Sequence, residues 1–329
     1  MNILVTGGAG YIGSYTVRAL RQAGYTSIIV DNLSRGHVES IPEGVTFYNM
    51  DIADPKLVDI MKDHNVTGVM HFAAHSQVGE SMVNPAIYYE NNVVGSYHLI
   101  ESARAAGVKH FVFSSTAAVY GEPEVVPIRE DAQLQPTNVY GRTKLMIEEM
   151  LSDYSSIYGS TYVALRYFNA AGADPSGTIG EDHHPETHLI PLVLDAARGK
   201  REHITVFGTD YDTADGTCVR DYIHVNDLAA AHVLAMDYLR KGGESQVFNL
   251  GSGNGFSVKE IIETAKEVTG IDIPVQYGER RAGDPGTLIA SSEKIKNLLG
   301  WDPKFSNVAD VIKDAWKWHT SHPDGFNSK

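Results

Sequence analysis

The sequence predicts an α/β fold: a doubly wound parallel sheet with a smaller mixed α/β domain attached. Two observations carry this expectation. Short, almost continuously apolar runs alternate with longer amphipathic stretches from Ile3 to Phe168, as in parallel strands covered on both faces by crossover helices. After Phe168 the alternation gives way to a stretch rich in Gly, Pro, His and acids, which marks a change of architecture. Right-handed crossovers wind the helices onto both faces of one sheet.

The elements follow in order. Ile3-Leu4-Val5 is a strand that stops at Gly7, and Ile12, Tyr15, Thr16, Ala19 and Leu20 recur at helical spacing as far as Gly24. Ser27-Ile28-Ile29-Val30 is a second strand ending at Asp31, and Val45-Thr46-Phe47-Tyr48 is a third. Asp54 is placed to cap a helix through Met61, with Pro55 in its first turn. A fourth strand covers 68–72, a long helical pattern runs over 85–106, and a fifth strand covers 110–113. A helix over 138–158 and a sixth strand over 162–166 complete the alternation. Residues 170–190 lack periodicity and read as a long functional loop. Beyond it come strands at 204–207 and 246–249, and helices at 226–239, 257–269, 291–299 and 307–318. Residues 1–170 are expected to form one domain, with segments near 222–250 and 290–318 returning to it; 171–221 and 251–289 form the second.

Composition excludes several classes of function. A chain of 329 residues suggests about two domains and an ample core. Its 27 Lys and Arg against 41 Asp and Glu give a net charge of −14, a poor match to nucleic acid or anionic membranes. An anionic ligand therefore needs a local basic pocket. Cys218 is the single cysteine, which rules out an intrachain disulfide and a Cys-rich metal site. The N-terminus carries no cation before Arg18, and no apolar run reaches about 18 residues. The expectation is a soluble cytoplasmic protein.

Gly7, Gly10 and Gly13 form G-x-x-G-x-x-G between the first strand and the first helix. Glycines there permit a tight turn and close backbone approach to a pyrophosphate, and the helix N-terminus adds N–H donors. Asp31 ends the second strand, where a carboxylate takes the ribose hydroxyls and repels a 2′-phosphate, favouring NAD over NADP. The sheet is thus of the Rossmann type. Asp51-Ile52 follows the third strand, where Asp51 either meets an adenine or caps a helix. Asn91 is a polar residue within a helical run, either exposed or recruited to a site.

Tyr140 and Lys144 form Y-x-x-x-K, which places both on one helix face. A tyrosine with pKa near 10 is a poor base at neutral pH, but a cation beside it stabilises the phenolate and lowers that value. Alone, the pattern signifies an amphipathic helix. Ser114, Ser115 and Thr116 at the end of the fifth strand add hydroxyls where open α/β sheets bind ligands.

The segments VTGGAGYIGS (5–14), DNLSRG (31–36), HFAA (71–74), VGES (78–81), YYENNVVG (88–95), FSSTAAVYG (113–121), YGRTK (140–144), LRYFNAAGA (165–173), VRDYIHVNDLA (219–229), FNLGSG (248–253) and RRAGD (280–284) span nearly the whole chain in order. Together they resemble the extended short-chain dehydrogenase/reductase superfamily and, within it, the UDP-glucose 4-epimerase (UDP-galactose 4-epimerase) family. The resemblance implies tightly bound NAD and inversion of C4 in a UDP-hexose through a 4-keto sugar, in galactose metabolism. Tyr140 would take the 4-hydroxyl proton, Lys144 would hold nicotinamide ribose hydroxyls, and Thr116 would bond the 4-oxygen. Besides the glycines and Asp31, it implies NAD contacts from Tyr11, Ile12, Asn32, Asp51, Ile52, Phe72, Ala73, Asn91 and Phe168. UDP would be gripped by Asn169, Leu189, Phe207, Arg220, Tyr222, Arg281 and Asp284, with the two guanidinium groups on the diphosphate. A homodimer through helices over 85–106 and 138–158 is a further implication.

Three positions depart from the pattern: Ser76 stands where many members have Lys, His188 where some have Asn, and Leu288 where some have a bulky Tyr. The smaller Leu288 implies room for an N-acetyl group, hence UDP-GlcNAc and UDP-GalNAc as further substrates. Dehydratases of the superfamily carry acids after the catalytic Thr; Ala117 and Ala118 cannot do that chemistry. A uronate epimerase would need cations at the sugar carboxylate, and a non-catalytic NAD-sensing scaffold would lack Tyr140 or Lys144. His183, His184 and His188 form H-H-x₃-H, read as incidental histidines of a substrate loop because no helix orients them, so no metal is expected.

Overall fold

The computed structural model describes residues 1–281 and 285–327. Thirteen strands are seen among them: β1 (Asn2–Thr6), β2 (Thr26–Asp31), β3 (Thr46–Asn49), β4 (Val66–His71), β5 (His110–Ser114), β6 (Thr161–Tyr167), β7 (Asn169–Ala171), β8 (Ile204–Phe207), β9 (Val219–His224), β10 (Gln246–Leu250), β11 (Gly255–Ser257), β12 (Val275–Gly278) and β13 (Thr287–Leu288). Seven of these form one sheet in the order β10-β6-β5-β4-β1-β2-β3, every pair parallel. The order reverses between β1 and β4, so the crevice beyond their carboxyl ends is the place where such sheets bind ligands.

Strand side chains alternate between two cores. Ile3, Val5, Ile29, Val112, Val163 and Leu165 pack on one face with helices α1 (Tyr11–Gln22) and α8 (Val225–Arg240). Leu4, Ile28, Val30, Phe111, Phe113 and Ala164 pack on the other, with α2 (Leu57–Asp63), α5 (Gly95–Ala105) and α6 (Val139–Tyr158). Burial on both faces is why these strands read as unbroken apolar runs.

A third core joins α7 (Leu189–Ala197), α9 (Val258–Thr269) and α11 (Val308–Ser321). This corrects the expectation for 290–318. Helix α10 (Glu293–Leu299) does sit on the large sheet, through Ile295, but Val308, Val311, Ile312 and Ala315 give α11 an apolar stripe that is buried against α7 and α9 instead. Around this core β9 pairs with β7, β11 and β13, and β8 pairs with β12.

Two helix expectations change. Helix α2 starts at Leu57, and Asp54 closes a preceding turn by accepting the Lys56 N–H at 2.9 Å instead of capping the helix. The long helix over 85–106 is interrupted: after α3 (Val78–Val83) and α4 (Pro85–Tyr88), residues Tyr89–Val94 form a π-turn before α5. Asn92 is its cause. The buried amide bonds the His75 N–H, the His75 carbonyl and the Thr143 hydroxyl at 2.9, 3.0 and 3.1 Å. The widened turn re-aims the adjacent Asn91, and π-turns of this kind concentrate at functional sites.

Candidate active site

Everything the sequence singles out around the glycine turn opens onto one continuous cleft of ≈ 940 Å³ at the reversal point of the sheet. Its floor is the turn after β1. Gly7 has φ +71°, and a Cβ there would stand 2.6 Å from the Ala73 nitrogen; a Cβ on Gly13 would stand 2.1 Å from the Gly7 carbonyl oxygen. Only glycine lets strand, turn and helix approach this closely. Helix α1 begins at Tyr11 with no side chain capping its N-terminus, which leaves its first N–H groups for an anion.

Asp31 is buried, and its carboxylate accepts the Ala9 N–H at 3.0 Å and the Leu33 N–H at 2.8 Å. Burial pushes its pKa up, and the two N–H donors oppose that. Arg35, the one cation close to it in sequence, is held by Glu80 at 3.0 Å and by the His184 carbonyl at 2.8 Å. It is therefore not free to welcome a 2′-phosphate, and the donor set fits NAD. Asn32 donates to Asp51 at 3.0 Å on the cleft wall, while Asp51 also accepts the Ala53 N–H at 2.9 Å, so Asp51 both lines the cleft and closes a turn. Gly10, Tyr11, Ile12, Ile52, Phe72, Ala73, Ser76, Asn91 and Phe168 also line the cleft.

The tyrosine, lysine and threonine meet at the carboxyl end of β5. Asn138 caps α6 by accepting the Gly141 N–H at 2.8 Å, and a Cβ on Gly141 would stand 2.6 Å from the Ala118 carbonyl oxygen. That contact sets the first turn of α6 against the turn that follows Thr116. Lys144 is buried, donates to the Ser114 carbonyl at 2.8 Å, and lies 5.9 Å from the centre of the Tyr140 ring.

In the chain alone, burial dominates the electrostatics of both groups. Burial pushes Tyr140 up to about 12, with a hydrogen bond from Thr116 pulling the other way. Burial also brings Lys144 down to about 7, opposed by Glu148. Taking both groups out of water disfavours both charges.

On the other side of the cleft stand Asn169, Leu189, Phe207, Arg220, Tyr222, Arg281 and Leu288. Arg281 stacks 4.0 Å above the Phe207 ring. Asp284, the remaining expected UDP contact, lies outside the described residues. Arg201 lines this wall as a third arginine that no motif marked.

Two groups escaped the sequence reading. Buried Glu148 takes the Arg166 Nε–H at 3.0 Å and the hydroxyl of Ser115, the residue before Thr116; an acid four residues after Lys144 was the available signal. The loop before α7 gathers Glu181, His183, Glu186 and His188, whereas His184 is exposed and faces Asp182. Burial lowers both ring pKa values, but the paired carboxylates overcome it, holding His183 at about 9 and His188 well above the usual imidazole range.

A family model described as the NAD dependent epimerase/dehydratase family matches residues 3–251. A UDP-glucose 4-epimerase of Halalkalibacterium halodurans is 55% identical over 330 residues, covering 100% of this chain and 98% of the relative. A crystal structure of a UDP-glucose 4-epimerase superposes with a TM-score of 0.97 at 54% identity, covering 99% of this chain and 100% of the other. The UDP-glucose 4-epimerase of Brucella ovis in complex with NAD superposes with a TM-score of 0.94 at 46% identity, covering 96% and 97%.

Proposed function

The chain belongs to the NAD dependent epimerase/dehydratase family, and we propose that it inverts C4 of a UDP-hexose, interconverting UDP-galactose and UDP-glucose. The observation that carries this reading is the meeting of Tyr140, Lys144 and Thr116 beside the glycine turn, in one cleft with the arginine-lined wall.

Tyr140 takes the proton of the sugar 4-hydroxyl, and Thr116 bonds the same oxygen and fixes it next to the phenol. NAD, held by the glycine turn and Asp31, would supply the acceptor and donor of the C4 hydride, so that a transient 4-keto sugar can be reduced on its opposite face. Lys144, anchored on the Ser114 carbonyl, holds the nicotinamide ribose and supplies positive charge beside the phenol. Arg220 and Arg281 grip the diphosphate, so the hexose can turn over while UDP stays in place. The large sheet thus carries the dinucleotide, and the unit built on α7, α9 and α11 carries the nucleotide sugar. Ala117 and Ala118 begin the turn after Thr116 and offer no acid for elimination.

The direct test uses protein purified without added cofactor. UDP-galactose supplied with no NAD should be converted to UDP-glucose, followed by chromatography. No conversion, even with NAD added, would leave only the family assignment.

Leu288 pairs with Arg220 in the sheet register and lines the cleft, so it sets the room at the sugar. UDP-GlcNAc should also be epimerised, and Leu288→Tyr should lower that rate about tenfold or more relative to UDP-galactose, the scale of discrimination by pocket volume. Equal, negligible turnover of UDP-GlcNAc by the wild type and Leu288→Ala would sink the idea.

A homodimer fits the exposed apolar side chains Val94, Tyr97, Ile157 and Tyr158 at the π-turn, α5 and the end of α6. Light scattering should give twice the chain mass of 35.9 kDa, and Tyr97→Glu with Ile157→Glu should return it to that value.

A further inference from the structure

We propose that Glu181, His183, Glu186 and His188 form a binding site for one divalent transition-metal ion of the zinc type, set in the wall of the cleft. One ligand atom from each residue lies within 4.8 Å of the other three. Nδ1 of His188 is 2.8 Å from Glu181 Oε1 and 3.0 Å from Glu186 Oε1. Nδ1 of His183 is 3.2 Å from Glu181 Oε1 and 3.7 Å from Glu186 Oε2. Ligands bonded to a tetrahedral zinc at roughly 2.0–2.1 Å stand about 3.3 Å from one another. The four contacts straddle that edge length, and an ion would draw in the wider pairs, which stand up to 4.8 Å apart.

The donor chemistry narrows the ion. Two imidazoles with two carboxylates suit zinc and its first-row neighbours; calcium and magnesium prefer oxygen alone. The carboxylates are shielded from water, with side-chain exposures of 4% for Glu181 and 13% for Glu186, so they require adjacent positive charge. Two protonated imidazoles supply it in one form of the cluster. A divalent ion supplies the same charge once both rings have given up a proton, so either form is locally neutral.

A separate observation points to a missing ligand. Nδ1 of His183 is buried and makes no hydrogen bond of acceptable geometry, although it faces the cluster. A buried nitrogen with a carboxylate 3.2 Å away but no well-aligned bond to it is better satisfied by an ion bound between them.

The loop is also preorganised from outside. The Tyr11 ring stands edge-on to His183 at 6.2 Å, Tyr15 donates to the Ile179 carbonyl at 2.7 Å, and Trp318 donates to the Glu181 carbonyl at 3.2 Å. A bound ion would link Glu181 to His188, the residue before Leu189 and α7. Its role is to hold that wall. No proton or hydride of the proposed reaction passes through the cluster, and the inference does not depend on that reaction.

The test takes NAD-containing protein, strips it with a chelator and titrates it with Zn²⁺ against a chromophoric competitor. One ion per chain should bind, and Co²⁺ in its place should give the intense visible bands of a four-coordinate site, abolished by Zn²⁺. His183→Gln and Glu186→Gln should each weaken binding at least about tenfold. His184→Gln, which changes an exposed neighbour outside the cluster, should leave it unaltered. Absence of stoichiometric binding overturns the proposal, as does affinity unchanged in His183→Gln and Glu186→Gln. If those variants do not fold, the Co²⁺ spectrum of the unmodified protein decides, and weak six-coordinate bands overturn it.

Discussion

Tyr140→Phe is expected to lower kcat by about 10²–10⁴-fold, the worth of a positioned acid–base group, while the NAD content of the purified protein stays at the wild-type level. The substitution keeps the ring and its 5.9 Å contact with the Lys144 ammonium, and it leaves the glycine turn and Asp31 untouched. Only the hydroxyl facing Thr116 is lost. Turnover within tenfold of the wild type would show that another group takes the proton. The pH profile gives a second reading of the same group. Burial raises the phenol to about 12 because the anion is disfavoured there. A protonated Lys144 and the positive charge of oxidised NAD favour the anion and act in the opposite direction. Wild-type kcat should therefore climb with pH as the phenol ionises and level off well below 12, a limb that is absent from Tyr140→Phe.

The large sheet was legible because its physics is local and repeated. Strands such as Ser27-Ile28-Ile29-Val30 are apolar on both faces, and Gly7 follows β1 where the chain must turn. The proposed catalytic set was legible for a related reason: Tyr140 and Lys144 share a helix face, and Thr116 lies two residues beyond the end of β5. What sequence could not supply came from contacts far apart in the chain. The π-turn over Tyr89–Val94 depends on Asn92 reaching His75 and Thr143, and helical periodicity carries no trace of that. The histidines of the 170–190 loop read as incidental because no helix aligns them. Their geometry is fixed instead by Tyr11, Tyr15 and Trp318, which belong to opposite ends of the sequence. The burial of Tyr140 and Lys144 was not legible either, because spacing shows that a cation is near but not that both groups leave water together.

Glu148→Ala is expected to lower the unfolding free energy by about 3–5 kcal/mol, the cost of leaving a buried charge without its partner. Arg166 would be that charge. Its side chain is 4% exposed and Glu148 is 6% exposed, so water reaches neither. The guanidinium spends Nε and Nη2 on Glu148 and Nη1 on the Tyr120 hydroxyl at 2.9 Å, and Tyr120 passes its own proton to Asn249 at 2.7 Å. Removing the carboxylate therefore strips two bonds from a cation that has nowhere to turn, and it releases the Ser115 hydroxyl as well. Urea denaturation should show a lower midpoint at unchanged slope. The pair itself is a different quantity from the cost of breaking it. Changing Glu148 and Arg166 together to apolar residues of similar volume should cost less than Glu148→Ala, because no charge is then left buried. That double variant should still lose activity. Ser115 adjoins Thr116 and follows Ser114, whose carbonyl anchors Lys144, so the carboxylate that holds Ser115 also steadies the segment on which the proton transfer is built. A double variant that is stable and fully active would confine the network to folding; one that is stable and slow would make Glu148 a positioning residue for Thr116 and Lys144.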